Sequence, residues 1–76
     1  MKELLEIIAK NLVDNPEEVI VTETEKDGTI MLELKVAAND MGKVIGKQGK
    51  IAKSIRNVVR AAAMYKDKKV SVEIIQ

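Results

Sequence analysis

One stretch carries most of the residues able to do chemistry: Asp40-Met41-Gly42-Lys43-Val44-Ile45-Gly46-Lys47-Gln48-Gly49-Lys50. It holds three of the four glycines of the chain together with three lysines and no aromatic ring. Glycine bares the backbone to a close approach, and lysine places a mobile ammonium group beside it. The spacing predicts a helix C-terminus meeting the N-terminus of a second helix. Gly46 is expected to form a left-handed cap, and Gly49 to leave bare backbone where the next helix starts. The second helix would direct the positive end of its dipole at an incoming anion, flanked by Lys47 and Lys50. Such an arrangement suits a phosphodiester chain.

Other phosphate motifs are excluded by counting. Three residues, not four, separate Gly42 from Gly46, and Lys47 is followed by Gln48 where a Walker A loop has serine or threonine. The dinucleotide pattern G-x-G-x-x-G is absent. Gly42 and Gly46 form a G-x-x-x-G pair, but no apolar 20-residue segment surrounds it to make a membrane-helix contact.

The net charge of +1 conceals a strong asymmetry. Residues 1–40 contain four lysines and ten acids, whereas residues 41–66 contain five lysines, two arginines and no acid. An acid-free basic segment raises a local potential that phosphate can exploit, and it also serves as a solvated face. Both alternatives apply to Lys53, Arg56 and Arg60, which cluster on one side of a helical wheel.

Much other chemistry is ruled out by composition. With no cysteine and no histidine there is no disulfide, no zinc site of the usual ligands and no imidazole base. No metal and no cofactor are expected. Ser54 and Ser71 are the only serines and have no histidine to activate them, so an enzyme is not expected. Asp40 is more simply a helix cap than a general base. Tyr65 is the sole aromatic residue, which excludes base recognition on a platform of several stacked rings. No apolar run approaches the ~18 residues of a membrane span, and acids sit where a secretory signal would be apolar, so a cytoplasmic protein with no membrane contact is expected.

The elements that position the glycine stretch follow from periodicity. Leu4, Leu5, Ile8, Ala9 and Leu12 recur at helical spacing from Lys2 to Val13, and Asp14-Asn15-Pro16 ends that helix. A β-branched strand from Glu18 to Glu25 leads into a Lys26-Asp27-Gly28 turn. Its partner runs from Thr29 to about Ala37, with Ile30, Leu32, Leu34 and Val36 on one face. Asn39 or Asp40 caps a short helix through Ile45, and a longer helix runs from Lys50 to about Tyr65. Val70, Val72 and Ile74 alternate along a final strand. The expectation is an α+β domain over residues 1–76 in the order α-β-β-α-α-β, with three helices on one face of a three-stranded sheet.

The run Gly42 to Gly49, with Ile55 and Val59 on the following helix, resembles the signature of KH domains, whose GXXG loop clamps backbone nucleotides. The element order is similar to the type II arrangement, and the whole chain resembles the small single-domain KH proteins of the KhpA (YlqC) family. One position departs from the pattern: Ala52, beside Ile51, stands where a larger aliphatic residue is usual. The resemblance implies a groove holding about four nucleotides of single-stranded RNA, bases inward over aliphatic side chains. Gly42, Lys43, Ile45 and Gly46-Lys47-Gln48-Gly49 match the motif directly, Lys50 and Lys53 flank it, Ile51 would floor the groove, and Val70 to Val72 would form the opposite wall. A post-transcriptional regulator or RNA chaperone is implied.

A second surface follows from an excess of apolar residues on the long helix. Ala52, Ile55, Val59, Ala62 and Ala63 make one arc suited to packing on the sheet, and Ile51, Val58 and Tyr65 extend it further. Val58 and Tyr65 are therefore candidates for a dimer interface. The resemblance implies self-association and pairing with a larger Jag-type (KhpB/EloR) KH protein. The alternative function is a protein-interaction module that uses the same fold for assembly.

Overall fold

The computed structural model describes residues 1–75. Helix α1 spans Lys2–Leu12 and buries Leu5 and Ala9, while Leu4 and Ile8 pack at the margin of the core. Its first turn is capped from across the fold: the Lys2 N–H donates to Glu23 Oε1 at 2.9 Å. A carboxylate there satisfies a free N–H and complements the helix dipole. A single 3₁₀ turn over Pro16–Glu18 then reverses the chain, and this turn delays the first strand, which begins at Ile20 instead of Glu18.

Strands β1 (Ile20–Lys26) and β2 (Thr29–Lys35) form an antiparallel hairpin. Asp27 and Gly28 connect them with φ of 53° and 78°, as a two-residue type I′ turn requires. Beyond β2 the chain leaves the sheet, yet Val36 and Ala37 stay buried as it enters a 3₁₀ turn at Ala38–Asp40. Helix α2 (Met41–Ile45), a tight turn at Lys47–Gly49 and helix α3 (Lys50–Met64) follow, and β3 (Lys69–Ile75) completes the sheet. The order is thus α-β-β-α-α-β, the α+β order expected from the sequence. Both long helices end within one residue of the positions expected from periodicity.

The sheet order is β1-β2-β3, with β2 antiparallel to β1 and parallel to β3. A parallel pair needs a crossover, and α2 and α3 supply it. In register, Leu34 lies between Val21 and Ile74, and Ile30 lies between Glu25 and Val70. Ile30, Leu32 and Leu34 are therefore central on one face and buried beneath the helices with Leu5, Val44, Ile55 and Val59. Burying each such side chain contributes roughly 1.5–3 kcal/mol. The other face carries Thr22, Met31, Glu33 and Ser71 to solvent.

Candidate nucleic-acid interface

The glycine loop depends first on how α2 is held. Val44 is fully buried and fixes one side of this short helix to the core. Asp40 fixes the other, by a route the sequence did not suggest. It stands at the N-cap position, but its carboxylate makes no capping bond. Instead Asp40, fully buried, accepts from the backbone N–H of Asp14 at 3.1 Å, from that of Asn15 at 3.0 Å and from Asn15 Nδ2 at 3.1 Å. Three convergent donors are worth more to a buried carboxylate than one helical N–H. The side chain ties the end of α1 to the start of α2.

Lys43 completes this bracket. Its ammonium pairs with Asp14 and lies 3.7 Å from Asp40 Oδ1, so its charge is already engaged within the fold. Burial alone would push the Asp40 carboxyl up, but the Asp14 and Asn15 hydrogen bonds together with the Lys43 ammonium outweigh it and hold Asp40 below the ordinary aspartate range. The native state therefore binds this proton less readily than the unfolded chain. The resulting stabilisation is full above the unfolded aspartate value and is lost as pH falls through the lower folded one. Asp40→Asn is expected to lower the thermal midpoint by several degrees at neutral pH and to flatten the acid limb of a Tm-against-pH series. A variant with the parent's acid limb would contradict this role.

After Ile45 the backbone turns through three positive-φ residues. Gly46 has φ 75° and ψ 176°, Gln48 φ 58° and ψ 25°, and Gly49 φ 75° and ψ 14°. The expectation of a left-handed cap at Gly46 is corrected in its ψ: the chain there is extended, in a region essentially confined to glycine. Gly49 holds the left-handed conformation instead. Their surroundings differ as well. A Cβ on Gly46 would lie 2.5 Å from Ile51 Cγ1 and 2.9 Å from Ile51 Cβ, whereas a Cβ on Gly49 would meet nothing within 4 Å. Gly46 is thus covered by Ile51, and Gly49 presents an open backbone.

This contact also accounts for the departure at the neighbouring position. Ala52 is buried beneath α3, and Ile51 supplies the aliphatic bulk that locks the loop to the first turn. Lys47 and Gln48 project into solvent at the tip, and Ile45 is exposed just before it. Lys2, Lys10, Lys43 and Lys68 all have acidic partners, but among the described residues Lys47, Lys50, Lys53, Arg56 and Arg60 have none.

Helix α3 divides two depressions. On the flank facing β3, the Arg56 Nε–H donates to the Val72 carbonyl at 3.2 Å, and Arg60, Met64, Lys68, Lys69 and Val70 line a hollow of about 340 Å³. On the flank facing α1, Ile8, Leu12, Ile51, Ser54, Ile55 and Val58, with Lys50 at the rim, line a largely apolar hollow of about 400 Å³. Ile51 and Val58 therefore share one flank, and the α3 cations Arg56 and Arg60 share the other with the Val70–Val72 segment. Val58 is half exposed and Tyr65 is 94% exposed.

The fold has clear counterparts. A model of the KhpA/KhpB KH domain matches residues 2–74. The chain belongs to this KH-domain family. It is 67% identical over 75 residues to the RNA-binding protein KhpA of Clostridium perfringens, covering 99% of this chain and all of that one. The RNA-binding protein KhpA of Listeria monocytogenes is 50% identical over 76 residues, covering both chains fully. Among solved structures, Aquifex aeolicus Era bound to GDP and aluminium fluoride superposes with a TM-score of 0.69 at 24% identity, over 96% of this chain and 28% of that one. This KH domain thus spans about a quarter of Era, and the likeness is one of fold. No helix among the described residues is long and apolar enough to cross a membrane.

The KH signature was legible as a motif; its supports were not. Asp14, Asn15 and Asp40 lie some 25 residues apart and meet only through folding, as do Arg56 and Val72. No periodicity announces either contact.

Proposed function

We propose that this KH domain grips about four nucleotides of single-stranded RNA between the Gly46–Gly49 loop and the α3–β3 flank, as a cytoplasmic post-transcriptional regulator or RNA chaperone. The observation that carries the proposal is the open backbone of Gly49, set at the positive end of α3 among cations without acidic partners. A phosphate there meets no Cβ at Gly49 and two mobile ammonium groups, Lys47 and Lys50. The names of the curated relatives support the same activity. Lys43 also anchors α2, and Ile51 also packs over Gly46.

Titration at low salt tests this proposal. Single-stranded poly(U) is expected to bind, a random duplex to bind more weakly, and the salt slope to be modest because few cations reach the backbone. Equal or tighter binding of the duplex would mean a nonspecific basic face.

The open apolar hollow on the α1 side of α3 favours self-association as well. Half-exposed Val58 and the adjacent Ile51, Ile8 and Leu12 leave an apolar surface that a second copy, or a related KhpB chain, would cover. Two weak grooves joined in this way gain effective concentration on one RNA. Val58→Asp is expected to convert a dimer to a folded monomer in light scattering. A parent that is monomeric at high concentration would exclude the dimer. Unfolding of the variant would mark Val58 as core, against its exposure.

A further inference from the structure

Arg56 is the only cation in residues 41–66 that is half-buried; all the others are exposed. Its Nε–H is committed to the Val72 carbonyl at 3.2 Å, it has no carboxylate partner among the described residues, and its two Nη groups make no hydrogen bond there. Anchoring at Nε fixes the plane of the guanidinium. What remains is the end-on edge, two parallel N–H donors directed away from the strand. Its place in the fold is equally specific: six residues beyond Lys50, about 9 Å down the helix axis at 1.5 Å per residue, between α3 and the edge strand β3.

We propose that Arg56 is the specificity-determining residue of the groove, and that its free Nη pair reads nucleobase edges with two adjacent acceptors. Guanine offers O6 and N7, and cytosine offers O2 and N3. Adenine and uracil alternate donors with acceptors along their edges, so one N–H of the fork meets a donor or nothing. A phosphate is the other source of paired acceptors. The half-buried position beside Val72 favours the base, because Lys47 at the loop tip and Lys53 on α3 already offer exposed charges to the backbone. This inference rests on the RNA-binding proposal above and adds a base preference to it.

The test uses short uridine oligonucleotides carrying one central guanine, cytosine or adenine, titrated by fluorescence anisotropy against the parent, Arg56→Lys and Arg56→Gln. Circular dichroism checks the folding of each variant. The parent is expected to bind the guanine and cytosine oligonucleotides roughly five- to 150-fold more tightly than the adenine and all-uridine ones, the range that corresponds to about 1–3 kcal/mol for a bidentate pair. Arg56→Lys keeps the charge and stem but lacks the fork, so it should bind all four alike, near the all-uridine level. A parent without preference, or a preference that survives in both variants, overturns the proposal. A uniform loss across all four oligonucleotides with the preference intact also overturns it and assigns Arg56 to phosphate. A parent that binds none of them fails at the earlier step, since the RNA-binding proposal itself then falls.

Discussion

Lys47→Asp combined with Gln48→Asp weakens binding of single-stranded RNA about a hundredfold at low salt, because one counter-charge is lost and two carboxylates are set against the phosphates. The fold should tolerate both changes. Each side chain projects from the loop tip with no partner among the described residues, and surface substitutions of this kind alter stability by about 0.5 kcal/mol or less. Aspartate also suits the left-handed backbone that Gln48 already adopts at φ 58°. The check pairs an anisotropy titration with circular dichroism. A natively folded double variant that binds as the parent does would remove the loop from the RNA site.

Gly46→Ala acts in the opposite sense, on stability before binding. Its φ of 75° with extended ψ costs about 1–3 kcal/mol for any residue with a Cβ, and the overlap with Ile51 adds roughly 1–3 kcal/mol more. A loss of about 3 kcal/mol is large against a total near 4–11 kcal/mol for a chain this size. The midpoint of thermal unfolding should fall by roughly 10–20 °C. Gly49→Ala, with open space around it and only a left-handed backbone to accommodate, should lose about 1–2 kcal/mol. Adding Ile51→Ala to Gly46→Ala removes the overlap with Cγ1 and Cδ1 but leaves the Cβ contact and the backbone strain, so the two substitutions should couple in a double-mutant cycle while restoring only part of the loss. Equal stability of the two glycine variants would contradict the role of Ile51 as the cover of Gly46.

The contrast between the glycines marks where the sequence stops being informative. The β1–β2 hairpin was legible because Asp27-Gly28 encodes a turn by local chemistry, and the alternation of Ile30, Leu32 and Leu34 encodes a buried face. The loop was legible as a motif because its glycines and lysines recur at a fixed spacing. The separate surroundings of Gly46 and Gly49 were not, since Ile51 covers only one of them. Asp40 was expected to cap its own helix, and it answers instead to N–H groups brought to it from the far end of α1. Lys43, by motif one of the expected RNA-binding residues, is engaged by Asp14 for the same reason: which carboxylate a lysine meets is settled by packing between elements. The flank to which Ile51 belongs likewise depends on where α1 lies, which no property of α3 alone can state.

The parallel pairing of β2 with β3 has a kinetic consequence. The β1–β2 hairpin closes through a two-residue turn and joins near neighbours in sequence, whereas Ile30 reaches Val70 only after the whole α2–α3 crossover is in place. Loop-closure entropy makes such distant pairing slow to form relative to the hairpin. Since β3 is also the strand to which Arg56 is anchored, the flank proposed for RNA is completed only by pairing residues about 40 positions apart in the chain. A partly folded chain that keeps the hairpin and α3 but has not docked β3 would display its cations without a groove between them, so affinity for the phosphate backbone would arise before any discrimination among bases.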